Sequence, residues 1–410
     1  MERAVLVAVD YARARHWSAE ASIDELGMLA RTAGALPVER LVQRLKHPDP
    51  HSYVGKGKLN ELIAMRSTLR YSVAIFDDEL SPAQQRTLEK ELGVKVIDRT
   101  ALILDIFAQR ARTSEGSLQV ALAQHEYLLP RLAGQWSHLE RMEGAIGLRG
   151  PGETQLETDR RLIRGQIKRL KQRLQHVRRQ REQYRGRRER AGIPVVALVG
   201  YTNAGKSTLM NAMTGADVRV NDRLFETLDP VTRRCRLDES RTVLLTDTVG
   251  FIQKLPTQLV AAFRATLEEL DDADLLLHVV DITHADAADQ SESVEETLAD
   301  LKILDRPRLT VFNKVDRLAD VPAHGKGADG MGGLESARLR ALNAELMESR
   351  PDALLVSAET GWGLETLKQR IGDLLSGVKP VAGDEEESVA NTGAVAEAAA
   401  YADRFSARAG

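Results

Sequence analysis

The sequence predicts an α/β protein in three parts. A small α/β domain covers residues 1–112, a long antiparallel helical hairpin 113–192, and a larger α/β domain 193–376. Three observations lead there. Short apolar runs alternate with helix-periodic segments through the first hundred residues and again beyond Pro194. Between those stretches the apolar positions fall at helical spacing, with no strand-like run. The apolar run Val195-Val-Ala-Leu-Val199 enters Gly200-x-x-x-x-Gly205-Lys206-Ser207 and then a helix-like segment, the order strand, glycine loop, helix.

The N-terminal part justifies the first element set. Residues 4–9 form a short apolar strand; residues 19–33 place Ile23, Leu26 and Leu29 on one helical face; residues 36–45 read as a strand. Residues 58–70 are helical, Val73-Ala-Ile-Phe76 is a buried strand, and residues 82–92 form a helix capped by Ser81 with Pro82 at its first position. A strand at 94–97 and a helix at 101–111 complete a largely parallel sheet covered by helices. The stretch Gly55-Lys-Gly-Lys58 fits either an anion-holding turn or an ordinary loop before a basic helix start.

In the hairpin, Leu122, Leu129, Leu132, Trp136 and Leu139 trace one seam, with a kink expected at Pro130. Ile163, Ile167, Leu170, Leu174 and Val177 trace a second. Residues 160–190 hold fourteen Lys or Arg against two Glu, too one-sided for a self-paired helix, because like charges at i,i+4 repel. A charge run is commonly a solvated face; this asymmetry favours an RNA phosphate backbone as its complement. The candidate contacts are Arg160, Arg161, Arg164, Lys168, Arg169, Lys171 and Arg173, with Arg149 and Gly150 in a Gly- and Pro-rich tip loop at 147–159.

The larger α/β domain carries the chemistry. Gly200 and Gly205 let backbone N–H groups turn around phosphate oxygens, and the following helix adds its positive end. Lys206 reaches the β- and γ-phosphates, and the Ser207 hydroxyl can ligate Mg²⁺. The strand 243–246 ends in Asp247-Thr248-Val249-Gly250: Asp247 can bind Mg²⁺ through water, and the Gly250 N–H can approach the γ-phosphate. Strand 309–312 ends in Asn313-Lys314-Val315-Asp316, where the Asp316 carboxylate pairs with N1–H and the 2-amino group of guanine, donors that adenine lacks. Strand 353–356 runs into Ser357-Ala358-Glu359, whose backbone can meet guanine O6. Between glycine loop and Asp247, residues 223–234 read as a switch loop, in which Thr227, preferred to Thr232, would ligate Mg²⁺ beside the γ-phosphate. Phe251 stands where many signalling GTPases have a water-orienting Gln, which implies slow intrinsic turnover.

Composition bounds the rest. The 410 residues suffice for two or three domains, and the net charge of −3 leaves any nucleic-acid signal local. A single cysteine, Cys235, excludes an internal disulfide, and no apolar run approaches the ~18 residues of a membrane span. A soluble, cytoplasmic monomer is expected.

Together these stretches resemble the HflX family of ribosome-associated GTPases. The resemblance is carried by Gly200-Tyr201-Thr202-Asn203-Ala204-Gly205-Lys206-Ser207-Thr208, Phe225-Glu226-Thr227-Leu228-Asp229-Pro230, Asp247-Thr248-Val249-Gly250-Phe251 and Asn313-Lys314-Val315-Asp316. Upstream, Val54-Gly-Lys-Gly-Lys58 and the stretch 147–161 match as well, so that residues 1–375 are covered. The resemblance implies a Ras-like G domain that hydrolyses GTP to GDP with Mg²⁺, preceded by the α/β domain and hairpin. It implies binding to the large ribosomal subunit and its rRNA, separation of stalled or idle ribosomes, and hydrolysis stimulated by the ribosome. Some relatives also bind ATP through the N-terminal domain. Asn203 occupies the position of a potassium-binding Asn in several GTPases, so K⁺ is a candidate cofactor. A large-subunit assembly GTPase, or a ribosome hibernation module holding GTP as a structural ligand, are the competing readings. The chain departs from the family in a Gly-rich insertion at 322–335 and in an acidic, then Ala-rich tail at 377–410 that is expected to be disordered.

Overall fold

The computed structural model describes residues 1–11, 18–132, 151–191, 193–215, 224–225, 228–254, 270, 273–318 and 333–377. The chain divides into two compact units, one of residues 1–182 with 254–263, the other of residues 183–253 with 264–410.

The first unit is built on β1 (Glu2–Asp10), α1 (Ala19–Thr32), β2 (Ala35–Arg44), α2 (Lys56–Leu69), β3 (Val73–Phe76), α3 (Pro82–Leu92), β4 (Lys95–Asp98) and α4 (Arg99–Arg110). The strands lie in the order β2-β1-β3-β4, all parallel, as the strand–helix alternation predicts. Helix starts follow capping chemistry. The Ser18 hydroxyl accepts from Ala21 N, Ser81 and Gln84 form a capping box with Pro82 at N1, and Asp98 accepts from Ala101 N. Each cap satisfies an N–H that the helix itself leaves unpaired. Val5, Val7, Leu62, Phe76, Leu88 and Val96 fill the core on one face of the sheet.

At the carboxyl ends of the strands lies a buried charge network that the sequence does not announce. Arg99, 1% exposed, donates to Asp77 Oδ1 at 2.8 Å and also to Glu25, while the Ser22 hydroxyl donates to Asp77 Oδ2 at 2.6 Å. The Lys254 ammonium, in the same unit, reaches Asp77 Oδ2 at 2.5 Å and Asp78 Oδ1 at 2.6 Å. Burial works against the Lys254 charge, but the two carboxylates outweigh it and hold its pKa above the usual lysine range. Removing one member of such a network strands its partners without compensation.

Helix α5 (Ser114–Arg131) and helix α6 (Pro151–Ala191) follow. Leu118 and Leu122 of α5 pack with Ile167, Leu170, Leu174 and Val177 of α6, and His125–Gln166 (2.7 Å) and Lys171–Glu126 (2.8 Å) bridge the same two helices. Ile167 to Val177 of the second predicted seam are therefore a packed face, whereas Ile163 stands outside the cluster. The first is displaced toward its N-terminus, with Leu118 in the cluster; Trp136 and Leu139 lie outside the described residues. Pro130 sits in the last turn of α5. The tip loop needs a correction. Helix α6 begins at Pro151, so residues 151–159 are helical, and only 147–150 of the expected loop fall outside the described residues. Proline at a first helical position loses nothing, since that N–H has no partner within the helix.

The second unit contains β5 (Val195–Val199), α7 (Lys206–Thr214), β6 (Val231–Arg236), β7 (Thr242–Asp247), β8 (Leu275–Asp281), α8 (Ala287–Asp300), β9 (Arg308–Asn313), α9 (Gly333–Ser349), β10 (Ala353–Leu355) and α10 (Leu364–Gly377). The sheet order is β10-β9-β8-β5-β7-β6, parallel except for β6, which runs antiparallel to β7. Strands β5 and β8 are nearly continuous apolar runs, as interior parallel strands require. Their side chains pack with Leu209 and Met210 of α7 and Leu367 and Ile371 of α10. Strand β6 is a departure: part of the expected switch loop is an edge strand, its Arg233 and Arg234 exposed. Residues 319–332, with most of the predicted insertion, and the tail beyond 377 lie outside the described residues.

Candidate functional site

The loop between β5 and α7 is shaped by two glycines whose side-chain space is already taken. Gly200 has φ +150°, and a Cβ there would stand 2.3 Å from Val279 O; Gly205 has φ +95°, and its Cβ would meet Asn313 Nδ2 at 2.3 Å. Any side chain at either place would force the loop open. Lys206 opens α7 and is buried, its Nζ donating to Gly200 O (3.0 Å) and Tyr201 O (2.8 Å). Burial lowers the Lys206 pKa to about 8, with Asp247 pulling the other way. The Ser207 hydroxyl donates to Asp247 Oδ2 at 2.6 Å, so the two predicted metal-binding oxygens share one place.

Across the sheet ends, the predicted base-recognition residues converge on the same loop. Asn313 Nδ2 donates to Ala204 O (2.9 Å), and Asn313 Oδ1 accepts from Ala358 N (3.0 Å), so one side chain ties together the loops at 200–205 and 357–359. Lys314, in the left-handed region at φ +68°, lies along the loop with Nζ on Asn203 O (2.8 Å) and Asp281 Oδ2 (2.7 Å). Val315 is buried, and Asp316 Oδ1 accepts from Ser357 Oγ at 2.5 Å, which sets the carboxylate against the last loop. Glu359 is exposed. Asp281 was not foreseen. Its position at the end of the apolar strand β8, level with Asn313 in the register, was the available signal.

Where the sequence places the third phosphate, Thr202 N donates to Phe251 O (2.7 Å) and Phe251 N to Gly200 O (3.1 Å), a short parallel bridge between the glycine loop and the Asp247–Phe251 segment. Thr248 Oγ1 donates to Leu198 O at 2.6 Å, and Val249 is buried. Gly250 packs so closely that a Cβ would lie 2.9 Å from Thr202 Cα and 3.1 Å from Lys206 Nζ. In the predicted switch loop, Phe225 and Leu228 are buried and Asp229 is half-buried, while Glu226 and Thr227 lie outside the described residues. Thr232 belongs to β6, with its hydroxyl 3.0 Å from that of Thr246. The antiparallel pairing of β6 with β7, Thr232 opposite Thr246, places it in the sheet. The glycine loop at 200–205, Asp316 and Gly250, the residues expected from sequence to meet phosphate, base and γ-phosphate, thus lie together at the carboxyl ends of the strands of one sheet.

Three consecutive segments match known protein families. Residues 20–108 match the family described as GTP-binding GTPase N-terminal, 110–188 the GTP-binding GTPase Middle Region, and 195–314 the 50S ribosome-binding GTPase family. The GTPase HflX of Caldanaerobacter subterraneus subsp. tengcongensis is 52% identical over 78% of this chain and 74% of its own. The GTPase HflX of Escherichia coli K12 is 44% identical over 92% of this chain and 83% of its own. The chain belongs to the HflX family. It is accordingly a GTPase with a G domain of the ribosome-binding class. Among solved structures, a GTP-binding protein from the archaeon Sulfolobus solfataricus in complex with GDP is 24% identical over 92% of this chain and 99% of that one, with a TM-score of 0.44. The HflX assignment accords with the α/β fold and glycine-loop domain expected from sequence. Among the described residues, no helix is long and apolar enough to cross a membrane.

In the first unit, the basic candidates on α6 face outward. Arg161, Arg164, Lys168, Arg169 and Arg173 are exposed, Arg160 is half-buried, and exposed Lys171 pairs with Glu126; Arg149 and Gly150 lie outside the described residues. Gly55 caps α2 without a side-chain bond and its N–H donates to Gln43 Oε1 at 2.9 Å, while Lys56, Gly57 and Lys58 form the first turn of the helix.

Proposed function

We propose that this HflX-family GTPase binds the large ribosomal subunit, that it separates stalled or idle ribosomes, and that the ribosome stimulates its hydrolysis of GTP. The observation that carries the proposal is the exposed basic face of α6, Arg161 to Arg173, in a chain whose G domain matches the 50S ribosome-binding GTPase family. Such a face complements rRNA phosphates: no acidic residue lies between Arg161 and Arg173 in the sequence, and Lys171 pairs with Glu126 of α5.

In the G domain, residues 200–208 hold the phosphates, Lys206 neutralises their charge, and Asp316 with the Ser357–Glu359 loop selects guanine. Magnesium fits the pair Ser207 and Asp247, two hard oxygen donors 2.6 Å apart, with Thr227 as the switch-loop ligand. Bound there, the ion would offset charge on the β- and γ-phosphates. Gly250 N–H senses the γ-phosphate, and Phe251, 2% exposed and apolar, supplies no group to orient water. That leaves the hydrolysis step to be completed by the partner. Asn203 is the candidate K⁺ residue, exposed at φ +62° beside Lys314.

The test is charge reversal on α6. Arg164→Glu with Lys168→Glu leaves GTP affinity within about twofold and weakens pelleting with large subunits by at least about tenfold at low salt, with a shallower salt dependence. Unchanged pelleting would remove α6 from the interface.

A further inference from the structure

The second residue of the phosphate loop does work that its position does not require. Tyr201 is 4% exposed, so its hydroxyl must be satisfied internally or cost stability. It accepts the Gln253 N–H at 2.9 Å, and Gln253 is itself buried at 6% exposure. Among the described residues, hydrogen bonds tie the phosphate loop to the segment after Gly250 from Thr202 N to Phe251 O, from Phe251 N to Gly200 O, and from Gln253 N to the Tyr201 hydroxyl. The first two are backbone bonds that any sequence could make. The third depends on one side-chain atom.

We propose that the Tyr201 hydroxyl is a positioning group that sets the discrimination between GTP and GDP, by clasping the Phe251–Gln253 segment over the phosphate loop. The clasp puts the Gly250 backbone directly against Lys206: a Cβ on Gly250 would be 3.1 Å from Lys206 Nζ, which leaves no space between them for a phosphate. It also commits the Thr202 N–H to Phe251 O, and inward-facing N–H groups of such a loop are its phosphate donors. Two phosphates can settle on the remaining cradle around Gly205 and Lys206. A third, drawn to Lys206, must lift Gly250 and Phe251 away, and Gln253 must then leave the tyrosine. GTP binding therefore costs a bond that GDP binding does not. The segment that must sense the γ-phosphate is the segment the clasp restrains, which makes Tyr201 a determinant of when the sensor moves.

Tyr201→Phe removes the hydroxyl and keeps the ring in the core. In the clasped arrangement this leaves a buried N–H without an acceptor, which disfavours that arrangement severalfold. Titration of the full chain with fluorescent GDP and with a fluorescent non-hydrolysable GTP analogue reads the effect. The ratio of the two dissociation constants shifts toward the GTP analogue by about fivefold or more. A ratio within about twofold of the parent overturns the proposal, whether or not both affinities change together. Amide exchange on the unaltered chain decides the matter independently of that variant. The Gln253 amide is slow without nucleotide and with GDP, and exchanges faster with the GTP analogue. Equal protection in all three conditions overturns the clasp.

Discussion

Asn313 ties together two loops of the proposed nucleotide site, and the cost of truncating it follows from those contacts. Its side chain is 2% exposed and makes both of its useful bonds to backbone, one to Ala204 O and one from Ala358 N. Asn313→Ala deletes both bonds and leaves one carbonyl and one N–H to find water. Each bond contributes about 0.5–1.5 kcal/mol net, so that the two together contribute roughly 1–3 kcal/mol. The loops released are those proposed to hold phosphate and base, and nucleotide must then reorder them at its own expense. At about 1.4 kcal/mol per tenfold, GDP affinity falls by about 5- to 150-fold. Asn313→Asp restores the acceptor for Ala358 N but sets a carboxylate against Ala204 O, and recovers none of the loss. The assay is fluorescence titration with labelled GDP at fixed salt and magnesium, alongside circular dichroism to show that the sheet persists. A folded Asn313→Ala chain that binds GDP within about twofold of the parent refutes the reasoning.

Asp316→Asn exchanges a double acceptor for a mixed donor–acceptor and weakens GTP binding by about a hundredfold or more, while xanthosine triphosphate gains; competition titration measures both, and an unshifted preference means that Asp316 does not read the base. His278, fully buried on β8, has its pKa lowered to about 3 by burial and by the charges of Arg308 and Lys206. Its folded value lies below the unfolded value near 6.5, so the unfolded chain binds more protons between these limits. Stability from this group is therefore complete above about pH 6.5 and is lost as pH falls toward 3. Between pH 4.5 and 6, unfolding of His278→Gln takes up about one proton fewer than the parent; an identical uptake would show that His278 does not titrate in that window.

Much of the nucleotide site is legible in the sequence because a ligand dictates it. Gly200 and Gly205 have to be glycine where Val279 O and Asn313 Nδ2 fill the Cβ positions, and Asn313 needs both an amide donor and an acceptor to span two loops. Alternation of apolar runs likewise exposes the parallel strands, which are buried on both faces. What escapes detection depends on contacts far apart in the chain. Strand β6, Val231–Arg236, carries Arg233, Arg234 and Arg236 on an edge, where charge is tolerated, so its composition reads as loop. Arg99 looks like an ordinary helix-start cation until Glu25 and Asp77 are brought to it from elsewhere in the chain. Tyr201 reads as one more loop residue, because its partner Gln253 stands 52 positions away.

Ribosome splitting and ribosome-stimulated hydrolysis are read together by adding purified ribosomes to the full chain and following two signals in the same sample, phosphate release from GTP and the sedimentation profile of the ribosomes. Hydrolysis then rises well above the rate of the chain alone, and intact ribosomes move to separate subunits, with the chain on the large one. Hydrolysis unchanged by ribosomes, with the intact particles undisturbed, would rule out both roles.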